Sequence, residues 1–220
     1  MTGQTTEDLT IGQHAERVAI AAGVVSALLL EPPTEALAAS FADTSAAADW
    51  PIDDPDAREA LESVARTGVE ADDVLRSDHF RLFVGPGRGD ACPYESVYVS
   101  RDHLLFSPET YDVRAAYARL GLEAPKLDNE PDDHLGLELA FVAELAHRLM
   151  HASGDEQRDL RELLGWFLAA HLDRFAPEVM RQVAEHARTS IYRALPALVE
   201  SVLREARELG IRHLPVDATH

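Results

Sequence analysis

The chain has 220 residues, 46% of them hydrophobic, which is enough for one domain with a core and too apolar for general disorder. Its formal net charge of −19 comes from 39 acidic residues against 20 lysines and arginines, and this disfavours a general role in binding nucleic acid or anionic lipid. The single cysteine, Cys92, excludes an intramolecular disulfide or a thiolate metal cluster and suits a reducing cytoplasm.

The first predicted element is a helix with one apolar face. Apolar residues recur at helical spacing over Ile11–Leu29, and Pro32 and Pro33 end the pattern. The nearly continuous apolar run Val18–Leu30 is too short to cross a bilayer. Acidic residues precede this run, whereas a signal peptide begins with basic ones. We therefore expect a buried helix, no targeting or transmembrane segment, and no stable membrane insertion.

The chain then changes character. Helical spacing predicts short helices at residues 34–41, 57–66 and 70–83. Residues 85–108 instead contain three glycines and three prolines, together with the strand-like run Ser96–Val99. We expect a long ordered loop there that includes an extended segment, and loops of this length often carry function.

The rest of the chain is predicted to be helical on both sides of a polar connector. Apolar stripes predict helices at 108–120, 135–149, 160–172 and 195–209. Pro177 marks the start of another helix, Val179–Ala187. The expected fold is all-α, a single helical domain of about ten helices. Its N-terminal half covers about residues 8–120 and its C-terminal half about 133–210, with a hinge at 121–132.

Several motifs that could carry chemistry fit structural roles better. The segment Gly85–Gly89 lacks the Lys-Ser/Thr of a phosphate loop and has no strand before it, so it is interpreted as a helix stop. His147 and His151 have metal-pair spacing but no further ligand motif, and we expect an exposed histidine face. His171 lies on an apolar stripe, which favours a hydrogen-bonded core histidine. The sequence predicts no metal, no cofactor and no catalytic residue.

The densest ionisable cluster is Glu130–His134, between the two predicted halves. Pro131 keeps Glu130 out of a helix, and Asp132 or Asp133 could cap the helix that follows. A groove can also form where two lobes meet, so the cluster is a candidate ligand site.

Five segments stand out in order along the chain: Phe80–Gly87, Cys92–Tyr98, Glu130–Leu135, His171–Pro177 and Ile191–Leu195. They resemble five motifs of the TorD/DmsD/NarJ family of redox-enzyme maturation chaperones. In the same order, these motifs are aromatic-x-Leu-Phe-x-Gly-Pro, Pro-Pro-Trp/Tyr-Glu-Ser-Val-Tyr, Glu-Pro-x-Asp-His, His-Leu-x-x-Trp-x-Pro and Phe-Tyr-x-x-Leu. The resemblance extends from about Ser77 to Leu209. Cys92 replaces a usual proline, and Phe80, Tyr94 and Phe175 stand where tryptophan is common; these departures concern the pocket and its cargo.

The resemblance implies an all-helical cytoplasmic chaperone, in some members a homodimer with exchanged halves. It implies binding of the twin-arginine leader and the body of a molybdopterin oxidoreductase of the DMSO/TMAO reductase kind, and assistance in cofactor loading before export. Guanine-nucleotide binding is also implied for the family, but this sequence has no phosphate loop to support it.

Binding such a leader requires an apolar groove and a carboxylate, because arginine pairs bidentately with carboxylates. The candidate carboxylates are Glu130, Asp132 and Asp133. We expect Leu82, Phe83, Tyr94, Asp133 and His134 to converge, with the acidic member binding the arginines. The full set of candidate signal-peptide-binding residues is Phe80, Leu82, Phe83, Gly85, Pro86, Pro93, Tyr94, Ser96, Glu130, Pro131, Asp133 and His134.

Two alternatives remain open at this point. One is a NarJ-like assembly chaperone of a nitrate reductase. The other is a nucleotide-binding or hydrolytic enzyme that uses Asp133, His134 and His171. The missing phosphate loop, metal triad and nucleophile elbow favour a chaperone that is not an enzyme.

Overall fold

A computed structural model describes residues 10–86, 89–125 and 130–211. The helices are α1 (Ile11–Leu30), α2 (Glu35–Ala42), α3 (Ala46–Asp49), α4 (Pro55–Thr67), α5 (Asp72–His79), α6 (Glu95–Val99), α7 (Pro108–Ala118), α8 (Leu135–Leu149), α9 (Gly154–Phe167), α10 (Asp173–His186) and α11 (Ser190–Leu209). Two π-helical turns, Phe80–Val84 and Leu168–Leu172, continue α5 and connect α9 to α10. In the described part of the chain the only β-type pairing is an isolated bridge, so the all-α prediction is confirmed.

The core is built around α1, α8 and α11. Helix α1 packs along α8 and against α11, and α11 also contacts α4, α9 and α10. The hydroxyl of Ser26 on α1 donates to the carbonyl of Gly136 on α8 at 2.7 Å. A Cβ on Gly136 would lie 2.8 Å from Cγ of Leu30, so the two helices approach closely because this position is glycine. Elements from both sides of the predicted hinge therefore share one core.

Helix α1 is longer than the apolar run that predicted it. With 20 residues it is long and apolar enough to cross a membrane by length and composition, so the argument from the short apolar run was wrong. Its apolar face, which includes Val18, Val25 and Leu29, is fully buried against the neighbouring helices. This packing explains its composition and agrees with the predicted buried helix.

Two local predictions are corrected. Ser96–Val99 lies in α6 and is not extended; β-branched side chains indicated a strand, but the residues close a helical turn. Pro177 does not begin a helix, because it lies inside α10, which the π-helical turn Leu168–Leu172 joins to α9. Residues 8 and 9 of the predicted N-terminal half lie outside the described residues.

The turn that follows α5 positions the candidate site. The N–H of Gly85 donates to the carbonyl of Phe80 at 2.6 Å, which closes the π-helical turn and ends the helix, as predicted for this segment. The chain then folds back, and the N–H of Ala91 donates to the carbonyl of Leu82 at 2.8 Å. Gly89 makes this return possible: its φ is +70°, and an added Cβ would lie 2.4 Å from the Leu82 carbonyl oxygen.

Candidate functional site

A groove of about 890 Å³ opens between the end of α1, the α5 π-helical turn and the segment before α8. Its lining is mostly apolar and includes Phe80, Phe83, Val84 and Leu137. Six predicted binding residues line it: Phe80, Phe83, Tyr94, Glu130, Pro131 and His134. The structure therefore brings together two segments about forty positions apart in the sequence.

The groove wall is an antiparallel bridge between Tyr94 and His134. The N–H of Leu135 donates to the carbonyl of Pro93 at 2.7 Å, and the N–H of Glu95 donates to the carbonyl of Asp133 at 2.9 Å. The two rings meet edge to face, with centroids 5.1 Å apart. Nδ1 of His134 accepts the N–H of Gly136 at 3.0 Å, so the neutral ring carries its proton on Nε2.

Asp133 does not face the groove. Its side chain is fully buried, where it accepts the N–H of Ser96 at 2.7 Å and the hydroxyl of Thr110 at 2.7 Å. A carboxylate enclosed in this way cannot reach a leader's arginine. The expectation that Asp133 lies in the groove is therefore corrected, and the bound N–H shows that Asp133 caps α6 and not α8.

Asp132 has a separate buried role. Its carboxylate accepts Nε of Arg114 at 2.9 Å and Nη2 of the same residue at 3.1 Å. The α8 cap is His134 itself, through its bond from Gly136. The prediction that Asp132 or Asp133 caps α8 was wrong because their partners are distant in the sequence.

Other predicted residues support the groove from behind. Leu82 is fully buried in the core, and Ser96 and Pro93 are buried next to the bridge. Gly85 and Pro86 follow the π-helical turn but do not line the groove. The predicted convergence thus holds for Phe83, Tyr94 and His134 and fails for Leu82 and Asp133.

Burial and negative charge dominate the groove's electrostatics. Burial first, and then the negative charge of Glu130, raise the pKa of the Tyr94 hydroxyl to about 12. Burial lowers the pKa of His79, whose Nε2 lies 3.2 Å from the carbonyl oxygen of Leu29. The His79 ring is therefore neutral at pH 7, and the exposed carboxylates Glu31 and Glu130 give the groove its negative character.

A layer of buried polar side chains lies behind the bridge. Nδ1 of His171 lies 2.8 Å from Oε2 of Glu95, which confirms the prediction of a hydrogen-bonded core histidine. Burial, followed by the negative charges of Glu95 and Asp133, raises the pKa of Glu138 well above its ordinary value. The neutral form of Glu138 is therefore favoured, which limits the charge in this layer.

One wall of the groove was missed in the sequence. A loop before α7 carries the consecutive apolar residues Leu104, Leu105 and Phe106, all exposed, and Leu105 lines the groove. His103 and Phe106 adopt positive φ values of 53° and 58°, and unfavourable backbone conformations of this kind cluster at functional sites. The signal available in the sequence was an apolar triplet inside an otherwise polar loop.

Two charged groove residues were also missed. Glu31 follows the last residue of α1, and Arg76 lies on α5, where its Nε contacts Oδ2 of Asp72 at 2.6 Å. An acidic residue that directly ends an apolar helix was the available signal for Glu31. Nothing local in the sequence indicates Arg76.

His147 and His151 do not line the groove. His147 and His151 are exposed, as predicted, with ring centroids 6.1 Å apart. Among the described residues, no group of three or more His, Cys, Asp or Glu side chains is arranged to hold a metal ion. A hydrolytic centre at Asp133 and His134 is disfavoured because the Asp133 carboxylate is enclosed.

Comparison with known proteins decides the family. The family model described as nitrate reductase delta subunit matches residues 51–181, more than half of the chain. The chain belongs to this family. The match contains most of the groove, from Arg76 to Leu137, whereas the α1 wall lies outside it.

The curated relatives of this chain are named as chaperones. The Tat proofreading chaperone DmsD of Salmonella typhi is 29% identical over 192 residues, which cover 85% of this chain and 87% of that protein. The chaperone protein TorD of Shewanella loihica is 28% identical over 152 residues, which cover 66% and 67%. The predicted family and the predicted class of function, a chaperone and not an enzyme, are confirmed.

Proposed function

We propose that this chain is a cytosolic chaperone that binds the twin-arginine leader of a molybdopterin oxidoreductase and assists its cofactor loading before export. The cargo expected from the sequence motifs is a reductase of the DMSO or TMAO kind. The observation that carries the proposal is one groove with an apolar lining and acidic rim residues. A twin-arginine leader has the matching chemistry, because it joins two arginines to an apolar stretch.

The apolar lining supports binding of the leader's hydrophobic stretch. Phe80 and Val84 are each 54% exposed, and Leu105 extends the same surface from the loop before α7. Covering such side chains removes apolar surface from water and supplies the affinity. The same contact would shield an unfolded leader from aggregation, and no bond needs to be made or broken.

The relatives' names favour this cargo over a cytoplasmic nitrate reductase. The family description would fit a NarJ-like assembly chaperone, but the relatives matched over the greater part of the chain are DmsD and TorD. The same proposal includes contact with the body of the oxidoreductase, a hinge at residues 121–132 and a homodimer with exchanged halves.

Phe80 tests the groove with a matched control. Phe80 and Tyr111 are both 54% exposed aromatic residues, but only Phe80 lines the groove. Phe80→Ala should weaken binding of a twin-arginine leader peptide by about 1–3 kcal/mol, the usual range for an aromatic hot spot. Tyr111→Ala should leave the affinity unchanged. The measurement is calorimetric titration, with melting curves to establish that each variant folds.

Equal losses in the two variants would place the leader elsewhere on the surface. A wild-type chain that binds a scrambled peptide as tightly as the leader would overturn the proposed function itself. Co-purification from the native host, followed by mass spectrometry, would then identify the cargo that the chain does bind.

A further inference from the structure

Glu31 occupies a place in the groove that no sequence motif marks. It lies directly after the last residue of α1, its side chain is exposed, and it lines the groove together with Leu29 and Leu30. Glu130 lines the same groove from the segment before α8. Two carboxylates from distant parts of the chain therefore face one apolar lining.

The backbone around Glu31 adds to its negative charge. The carbonyls at a helix C-terminus carry a partial negative charge, which favours a cation at that end. Helix α1 has 20 residues and no basic residue in its last turn. A carboxylate at that cap adds to the negative end of the helix, where a lysine or arginine would be the favourable residue.

Neighbouring ionisable groups affect how strongly the Glu31 carboxylate attracts a cation. Arg76 and His79 interact electrostatically with Glu31, and both line the groove. Burial lowers the pKa of His79, so its ring adds no positive charge at pH 7. Arg76 is positive, but its Nε is bonded to Asp72 at 2.6 Å. A guanidinium from a partner can share this carboxylate, since each of its oxygens accepts more than one hydrogen bond.

We infer that Glu31 is a specificity-determining residue that pairs with one of the leader's two arginines, while Glu130 pairs with the other. This inference rests on the proposed function. A planar guanidinium forms two parallel hydrogen bonds with a carboxylate, and a lysine ammonium does not, so each acidic residue discriminates arginine from lysine at its own position.

The test uses four leader peptides: the twin-arginine sequence, each single arginine-to-lysine replacement, and the double replacement. Each is titrated against wild type, Glu31→Gln and Glu130→Gln in dilute salt, where surface charges are least screened. The control is Glu16→Gln, which removes the same charge from an exposed position of α1. Glu16 is about 22 Å from Glu31 along the helix axis, at about 1.5 Å per residue.

Glu31→Gln should weaken binding of the twin-arginine peptide by roughly two- to fivefold, the upper part of the range for an exposed ion pair. It should also remove the preference for arginine over lysine at one leader position only. Glu130→Gln should remove the preference at the other position. Glu16→Gln should keep both preferences, and all variants should melt as wild type does.

If wild type binds the leader and Glu31→Gln behaves like Glu16→Gln with every peptide, the inference is overturned and the proposed function stands. Equal loss of preference at both leader positions also overturns it, because that pattern reports only overall charge. If wild type binds no leader peptide, the proposed function and the inference fall together.

Discussion

At the scale of single residues, the site depends on which carboxylates are enclosed and which are exposed. Asp133 is fully buried with its two oxygens bonded to Ser96 and Thr110, whereas Glu130 is exposed and lines the groove. The enclosed carboxylate fixes α6 and the bridge that carries Tyr94 and His134. The exposed one lines the groove, where the proposed leader would lie. Two acidic residues of one motif, Glu130 and Asp133, therefore have different roles.

This difference leads to a prediction for Asp133→Asn. In the variant the amide oxygen can still accept the Ser96 N–H, and the NH₂ group can donate to the Thr110 hydroxyl oxygen, but both hydrogen bonds lose the strength that a charged acceptor gives them. The free energy of unfolding should fall by about 1–3 kcal/mol. The ratio of affinities for twin-arginine and twin-lysine leader peptides should stay at its wild-type value. Denaturant unfolding and peptide titration measure the two quantities.

Glu130→Gln is the control for Asp133→Asn, because it changes an exposed carboxylate in the same segment. It should lower the arginine preference with little loss of stability. If Asp133→Asn instead kept its stability and lost the arginine preference, Asp133 would contact an arginine directly, as expected from the sequence.

At the scale of elements, the tight return of the chain after α5 positions the groove. Gly89 and Gly121 both have positive φ, at +70° and +71°. An added Cβ at Gly89 would lie 2.4 Å from the Leu82 carbonyl oxygen, whereas at Gly121 it would meet nothing within 4 Å. A comparison of substitutions at the two positions therefore separates the cost of left-handed backbone from the cost of steric crowding.

Gly121→Ala should lower the free energy of unfolding by about 1–2 kcal/mol, the cost of left-handed backbone for an L-residue. Gly89→Ala should cost this amount plus about 1–3 kcal/mol more, because the close approach to Leu82 must open. Chemical denaturation measures both. Similar losses in the two variants would show that the return after α5 can relax without cost.

How far the sequence predicts an element depends on where its determining contacts lie. The helices α1, α8 and α11 follow from apolar spacing, because each buries a continuous face. α6 was predicted as extended because its β-branched residues favour strands. Its N-terminus is instead capped by Asp133, 37 residues away. A cap supplied from that distance leaves no local signal.

The same reasoning applies to the site. Motif resemblance placed Phe80, Phe83, Tyr94 and His134 in one groove, and the structure agrees. It did not find Glu31, which comes from the end of α1, because only the packed fold brings that helix end to the α5 π-helical turn. Which of several clustered carboxylates faces solvent is likewise a property of packing.

At the scale of the whole molecule, the dominant feature is the excess of 19 negative charges. Exposed arginines form short-range pairs with neighbouring carboxylates, such as Arg181 with Glu178 at 2.7 Å and Arg58 with Asp53. Because 39 acidic residues stand against 20 lysines and arginines, carboxylates remain in excess even where such pairs form, and they repel one another. The same excess would attract the basic leader of the proposed cargo towards the groove.

Salt should therefore act on stability and on leader binding with opposite signs. Between about 10 mM and 200 mM sodium chloride the screening length falls from roughly 30 Å to below 8 Å. Self-repulsion weakens, and the melting midpoint should rise by about 2–8 °C, equivalent to about 1–2 kcal/mol for a chain of this size. Affinity for the twin-arginine peptide should fall over the same interval, because the attraction between groove carboxylates and arginines is screened too.

A non-ionic osmolyte, which stabilises folded chains without screening charge, is the control and should raise the midpoint while leaving the arginine preference unchanged. A midpoint that stays constant or falls across this range of salt would show that self-repulsion does not limit the stability of the folded chain.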